Sequence, residues 1–302
     1  MIFHKIQTTI QLMRHSPLEI IPALSRNGLL NFVSDKSLLK FIYYAKTGER
    51  LNLKTPKKFN EKLQWLKLYD RRPEYTNLVD KLAVRDYVSQ NIGSQYLVPL
   101  IGVYTAPEDI PWEELPRQFV LKCTHGSGCN IICRNKDELD LQHELKRIRG
   151  WLRKNYYWTY REWPYKDVIP RIIIEKFLTE ERGEELKDYK VYYFGGKPKI
   201  IHVDLDKYGT HKRNIYDLKW NLLEVSIQYP VEKSIAIPKP ENLELMLDLG
   251  SKLVSDFPHA RVDFYSIGEK LYFSEITFYN GAGFERILPE QFNFEMGEWL
   301  VL

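Results

Sequence analysis

The sequence predicts an α+β protein with antiparallel sheets. Three observations carry this. Strands come in pairs joined by tight turns, at 119–132 around Gly126-Ser127-Gly128 and at 260–277 around Gly268-Glu269. Helical stretches lie between those pairs, whereas a doubly wound parallel sheet would need strict strand–helix alternation. The first 95 residues show three- and four-residue apolar spacing, as in 37–44 and 59–69.

In chain order, a helix is expected around 37–44, and a second over 59–69 that ends at Arg71-Arg72-Pro73. A third runs from Leu78 through Val88, and a Pro-punctuated region over 96–116 holds a short strand near 96–103. The apolar stretch from Phe119 turns at Gly126 and returns through Ile131-Ile132 as a hairpin. The spacing of Leu139, Leu141, Leu145, Ile148 and Leu152 predicts an amphipathic helix over 137–158, followed by an aromatic, irregular piece at 160–165. A buried strand follows at 171–178, turning polar at Glu175. Three more lie at 189–194, 198–204 and 212–218, and a helix at 241–257 precedes the last hairpin. The organisation drawn from this is a helical, basic region 1–78, a first lobe 79–174 and a second lobe 175–302.

A chain of 302 residues, 28% charged and 14% aromatic, can bury a sizeable core in a soluble globular protein. No apolar run approaches the roughly 20 residues that a membrane-crossing helix needs. The opening residues lack the apolar segment of a signal peptide, which points to the cytoplasm. Cys123, Cys129 and Cys133 are an odd set on one hairpin, the pattern of reduced thiols; a metal site from them would require His125 as fourth ligand. Residues 1–60 carry ten Lys/Arg against three acids, +7 of a total of +4, leaving −3 for the remainder. A basic, leucine-rich arm of this kind suits an anionic membrane surface, and equally a solvated helical face. Nothing interleaves the basic residues with a base-stacking platform, so no nucleic-acid partner is expected.

Two hairpins carry chemistry. In the first, Gly126 and Gly128 let backbone N–H groups approach an anion, Thr124 and Ser127 offer hydroxyls, and Lys122 supplies a point charge. An ordinary tight hairpin with a lysine on its wet face fits the same residues. In the second, alternation puts Arg261 and Asp263 on one face of one strand, and Glu275 and Thr277 on one face of the next. Two facing carboxylates repel unless a cation lies between them, and hard oxygen donors select Mg²⁺. Balance by Arg261 and nearby lysines is the alternative.

Together, Lys122 with its Gly-rich hairpin, Ile174-Glu175-Lys176-Phe177-Leu178, Arg261-Val262-Asp263 and Ser274-Glu275-Ile276-Thr277 resemble the ATP-grasp superfamily in order and spacing. With Phe59-Asn60-Glu61-Lys62, Val79-Asp80-Lys81 and Asp188-Tyr189-Lys190 added, the pattern over about 55–302 is similar to its TupA-like branch, from teichuronopeptide, capsule and exopolysaccharide clusters. The resemblance implies ATP gripped between two α+β lobes. It implies Lys81 and Lys122 on phosphates, with the loop His125, Gly126, Ser127 and Gly128 closing over them. Glu175 and the backbone near Phe177 would hold adenine, and Asp188 the ribose. Lys190, Lys212 and Arg213 are looser phosphate candidates. Asp263 and Glu275 would bind Mg²⁺, and Arg261 would stabilise charge on a substrate carboxylate or acyl phosphate. Thr277 stands where many members have Asn, with Asn280 three residues later, which points to a weaker or singly filled second metal site.

The implied activity is ATP-dependent joining of a carboxylate and an amine through an acyl phosphate, with an amino acid and a uronic acid or amino sugar as substrates. Two other readings stand beside it: a sugar kinase or glycosyltransferase, and a non-catalytic module of the same fold docked through its basic arm. No general base is assigned; His125 and His202 are both open.

Overall fold

The computed structural model describes residues 20–26, 28–179, 186–205 and 211–302. Lys5 and Arg14 of the basic arm lie outside them. Among the described residues no helix is long and apolar enough to cross a membrane.

The N-terminal part is helical, as expected. Helix α1 (Ile20–Arg26) leads to α2 (Asp35–Thr47), which starts at Ser34, whose hydroxyl accepts the Ser37 N–H, and stops at Gly48 in the left-handed conformation. Its apolar face, Leu38, Leu39, Ile42 and Tyr43, packs on Leu51, Ala282 and Phe284 near the far end of the chain. Helix α3 (Phe59–Tyr69) has the anticipated limits, and Glu61 caps it by accepting the N–H groups of Lys57 (2.9 Å) and Lys58 (3.1 Å).

The single helix expected from Leu78 is instead two, α4 (Glu74–Val79) and α5 (Val84–Asn91). Asp80 separates them: one carboxylate oxygen accepts the Leu82 N–H at 2.8 Å and the other accepts from Arg171 at 2.8 Å, so a tertiary ion pair fixes the break. Strand β1 (Leu100–Tyr104) starts later than expected, because Ser94–Tyr96 forms a 3-10 turn. After β2 (Phe119–Cys123) and β3 (Asn130–Cys133), helix α6 covers only Leu141–Leu152. Asp140 caps its start by accepting the His143 N–H, and Asn155 accepts the Tyr157 N–H to open a separate short helix, α7 (Tyr157–Tyr160). Arg161 then takes a left-handed conformation, φ 57°.

Strand β4 (Ile172–Lys176) runs across position 174/175 and completes a four-stranded antiparallel sheet in the order β1-β4-β2-β3. The second sheet holds β5 (Asp188–Phe194), β6 (Lys197–Leu205), β7 (Lys212–Tyr216), β9 (His259–Ile267) and β10 (Lys270–Thr277), in the order β10-β9-β5-β6-β7. A two-residue strand β8 (Ser226–Ile227) pairs with β11 (Ile287–Leu288), and helices α8 (Leu243–Val254) and α9 (Glu290–Trp299) complete the chain.

Each sheet has one apolar face. Phe119, Leu121, Ile131, Ile172 and Ile174 of the first pack on Ile148 of α6. Tyr189, Val191, Val203, Val262 and Phe264 of the second pack in one cluster with Leu243, Met246 and Leu253 of α8 and with residues of α3, α4 and α5. Burying each such aliphatic side chain contributes about 1.5–3 kcal/mol. The opposite faces, where polar residues alternate, are left for the site.

Helices α3 and α9 approach closely at Gly297, where a Cβ would stand 2.0 Å from the Lys57 carbonyl oxygen. Gly297→Ala therefore destabilises the protein by about 1–3 kcal/mol through overpacking, although alanine is otherwise the better helix former by about 1 kcal/mol. A lowered urea midpoint checks it; an unchanged or raised midpoint would contradict this packing.

Candidate active site

The polar face of the second sheet is a buried ladder of charge. Antiparallel register puts Lys190 beside Asp263 and His202, Arg213 beside Asp204, and Glu275 beside Asp263. Arg261 donates to both oxygens of Asp263, at 2.6 and 2.7 Å, and its Nη2 reaches Glu275 Oε1 at 3.2 Å and Thr277 Oγ1 at 3.1 Å. Lys190 donates to Asp188 and lies 3.6 Å from an oxygen of both Asp204 and Asp263. Asp204 Oδ1 accepts from Arg213 (2.8 Å), His202 (2.9 Å) and His211 (3.0 Å), and Arg213 continues to Glu285 at 2.7 Å.

Burying these charges costs free energy unless each has partners. Burial pushes the Asp263 carboxyl up to about 6, against the pull of Arg261 and Lys190. Burial also works against the charge on Lys190, but Asp188, Asp263 and Asp204 outweigh it and raise its pKa. Glu275 goes the other way: burial opposes ionisation, yet Lys81, Arg261 and Lys190 hold its carboxyl below the usual range.

The facing side of the first sheet carries Lys122 and Glu175. Glu175 accepts from Lys122 at 2.7 Å and from Arg85 of α5 at 3.0 Å, so it braces two cations. Burial disfavours the Lys122 ammonium, but Glu175 more than compensates and keeps it charged. At the hairpin tip Gly128 has φ 74°, and a Cβ on Gly126 would stand 3.2 Å from the Tyr156 side chain, so the loop lies against that residue.

Lys81 joins the two halves. Its ammonium donates to the Gly126 carbonyl oxygen at 2.8 Å and stands 3.7 Å from Glu275 Oε2. A narrow cleft lined by Lys81, Arg85, Lys122, Glu175, Phe273 and Ser274 separates the sheets here. The structure thus brings together Lys81, Lys122, Gly126, Glu175, Asp188, Lys190, Arg261, Asp263 and Glu275.

Several sequence expectations meet a different geometry. Glu175, expected on adenine, has both oxygens on Arg85 and Lys122. His125 turns inward, its Nε2 3.1 Å from the Trp151 carbonyl, and burial lowers its pKa. The Thr124 hydroxyl is committed to the Ile169 carbonyl and the Arg171 N–H. Ser127 is exposed at the loop tip. The Phe177 ring lies outside the cleft, under the Arg134 guanidinium at 5.7 Å, in a groove with Ile101, Arg117 and Lys176. Arg213 is enclosed by Asp204 and Glu285, and Lys212 pairs with Glu232 at 2.7 Å. His202, buried, is driven well below its ordinary pKa and stays neutral on Asp204.

The cation between Asp263 and Glu275 is the Arg261 guanidinium. Among the described residues no group of three His, Cys, Asp or Glu side chains is arranged to hold a metal ion. The cysteines are free thiols. Glu275 nevertheless faces the cleft with its side chain about a third exposed (32%), and Mg²⁺ commonly takes one or two carboxylates plus substrate phosphates. Glu275 and Asp263, hard oxygen donors on adjacent strands, would be the residues to hold such an ion.

Sequence reasoning missed Arg85 and Asp204. Arg85 reaches Glu175 across 90 residues, and nothing local marks it. Asp204 was legible only as a strand-end acid.

Two antiparallel sheets meeting face to face, with lysines and a glycine loop on one and a carboxylate–arginine ladder on the other, define a protein of the ATP-grasp class. A family model for TupA-like ATP-grasp proteins matches residues 61–301, and the chain belongs to that family. No curated protein matches it by sequence. Among solved structures it is similar to a D-alanine–D-alanine ligase from Bacillus anthracis (18% identity over 67% of this chain and 57% of that one, TM-score 0.42). It is similar as well to a D-alanine–D-alanine ligase from Helicobacter pylori (15%, 82% and 70%, 0.43). A third is an L-amino acid ligase from Bacillus licheniformis (13%, 83% and 55%, 0.44). The chain spans 57% and 54% of the length of the two Bacillus anthracis ligase chains it matches.

Below the ladder, His259 donates Nδ1–H to the Tyr193 carbonyl at 2.8 Å and meets the Asn280 amide at 3.4 Å, which orients the segment after β10. Burial pushes this imidazole down to about 3. Between pH 6.5 and 3 the unfolded chain binds a proton that the folded chain refuses. The stability tied to it is therefore intact above pH 6.5 and is lost as pH falls toward 3. His259→Gln should flatten the dependence of the urea midpoint on pH between 6 and 4. An unaltered slope would mean that this imidazole is not held neutral.

Proposed function

We propose that the protein is an ATP- and Mg²⁺-dependent carboxylate–amine ligase that forms an amide through an acyl phosphate. The observation that carries this reading is the Lys81 ammonium, within reach of both the Gly126 carbonyl and Glu275, which links a phosphate-type loop to a carboxylate–arginine ladder. Phosphoryl transfer depends on positioning and on neutralising oxygens more than on covalent help. Lys81 and Lys122 supply fixed positive charge for phosphate oxygens, and the backbone N–H groups of Gly126, Ser127 and Gly128 offer donors above them. Glu175 and Arg85 hold Lys122 in place rather than contacting adenine. Arg261, anchored on Asp263, can turn a donor toward a substrate carboxylate and stabilise the oxyanion that develops on it. Mg²⁺ on Glu275 and Asp263 would add Lewis-acid neutralisation of the transferring phosphoryl group.

For the substrates we propose an amino acid and a uronic acid or amino sugar of a surface polysaccharide or its precursor. The family branch supports this. We place the action in the cytoplasm; the +7 on residues 1–60 supports contact with the anionic inner face of the membrane. A transferase reading would lean on the Asp-x-Asp of Asp204 and Asp206. Asp204, however, is saturated by three donors, and Asp206 lies outside the described residues.

Thermal shift tests the nucleotide site. ATP with Mg²⁺ at about 100 times Kd should stabilise the protein by about 2.7 kcal/mol, about 5 °C for a chain of this size. Lys122→Ala and Glu275→Gln should each remove most of that shift, since each deletes a charged contact worth about 1.5–3 kcal/mol. ADP release that needs both a carboxylate and an amine supports the ligase. Release with a neutral sugar alone makes it a kinase, and the absence of any shift with folded protein removes both.

A further inference from the structure

A second pocket lies where the end of α2 and the start of α3 meet the run from Phe284 through β11 into α9. It has a volume of about 400 Å³, which suits a small ligand, and it shares no lining residue with the cleft between the sheets. Tyr43, Lys58 and Asn60 on its walls precede residue 61, where the family match begins.

Several polar groups in the lining have no partner. Tyr43 is 1% exposed, yet no hydrogen bond among the described residues engages its hydroxyl. Burial and the charges of Glu61, Glu49 and Glu290 raise the pKa of that hydroxyl, so it keeps its proton and can donate. A buried hydroxyl left unanswered costs free energy. The Asn293 amide oxygen accepts the Asn60 N–H at 3.2 Å, and the Asn60 amide nitrogen donates to the Glu285 carbonyl at 2.8 Å. The amide nitrogen of Asn293 and the amide oxygen of Asn60 remain without a partner among the described residues, although both residues are buried.

The charges in the lining are unequally committed. Lys58 lies 2.6 Å from Glu49 and also pairs with Glu290, and Glu285 accepts from Arg213 at 2.7 Å, so each acid already has its cation. Arg286 differs. Its backbone is clamped by Gln228, whose side-chain oxygen accepts the Arg286 N–H at 3.3 Å and whose own N–H donates to the Arg286 carbonyl at 2.7 Å. No ion pair or hydrogen bond among the described residues engages its guanidinium, and Lys46 adds a further positive charge to the same lining.

This chemistry narrows the ligand. A bound ammonium would need an acid that is not yet paired, and the lining offers none. A carboxylate finds the open guanidinium fork, which matches its two oxygens. A phenol and two amides donate and accept as ring hydroxyls require, and Phe284 and Ile287 supply apolar wall for C–H surface. We propose that this pocket binds a sugar acid, with Arg286 on its carboxylate and Tyr43, Asn60 and Asn293 on its hydroxyls. Use of the site to anchor a uronate of the acceptor rests on the ligase reading; the binding itself does not.

Isothermal titration of the full-length protein without nucleotide tests it. The probes are the methyl glycosides of D-glucuronate and D-galacturonate, methyl β-D-glucoside and D-glucose 6-phosphate. At least one uronide should bind about 10-fold or more tightly than the glucoside, and Arg286→Ala should erase that preference. Tyr43→Phe should weaken the uronide by about 5-fold while leaving the urea midpoint of the ligand-free protein unchanged or raised, because the hydroxyl it removes has no partner there. No detectable uronide binding, a preference that survives Arg286→Ala, or tighter binding of the phosphate ester overturns the proposal. None of these outcomes touches the thermal shift with ATP and Mg²⁺, so the ligase reading would stand. Absence of that shift with uronide binding intact would remove the ligase reading and leave this site.

Discussion

The structure depends on a constraint that is easily stated: a sheet face inside a protein carries seven charged side chains, and each must be answered by another. Asp188, Lys190, Asp204, Arg213, Arg261, Asp263 and Glu275 meet this by alternating sign across five neighbouring strands, so that strand register and electrostatic pairing enforce each other. A one-residue slip would send every charge to the apolar side. Such a ladder is a poor source of stability, since desolvation consumes most of the Coulomb attraction. Its value is a fixed field at a place where phosphate and carboxylate charge can be received without reorganisation.

The first sheet uses the same device on a smaller scale. Glu175 is flanked by Lys122 and Arg85, so Lys122 stays charged and aimed although it is largely enclosed. The two sheets touch through Lys81, and the Tyr156–Tyr165 pair forms a wall beside the Gly126 loop. Helix α2 bears on this wall from a distance: Asp35 holds Arg161 and Tyr157, and the apolar face of α2 packs on Ala282 and Phe284. The N-terminal helices, most of which precede the family match that starts at residue 61, are therefore part of the site's architecture.

Much of this was legible in the sequence where the determinants are local. Helix α3 could be bounded to the residue because its apolar spacing ends at Arg71-Arg72-Pro73. The two chemical hairpins could be read because glycine turns sit between β-branched runs, and alternation alone paired Asp263 with Glu275. The failures are tertiary. Asp80 breaks a helix because Arg171, 91 residues away, fixes its carboxylate. The helix over 137–158 is cut because Asp140 and Asn155 each cap a separate segment. The bracing of Glu175 by Arg85 carried no local mark, because Arg85 lies on an unremarkable helix. The left-handed Arg161 had no motif at all; it is pinned by residues more than 100 positions earlier.

The central claim is that the lysine–glycine loop and the carboxylate–arginine ladder grip the two sides of one triphosphate. A crystal structure with Mg²⁺ and a non-hydrolysable ATP analogue tests it most directly. Phosphate density is expected between Lys81 and Lys122 on one side and Arg261 and Glu275 on the other, with the metal on Glu275. Nucleotide bound instead in the outer groove of Arg117, Arg134 and Phe177, with Lys81 still on Gly126 and Arg261 still on Asp263, would contradict it.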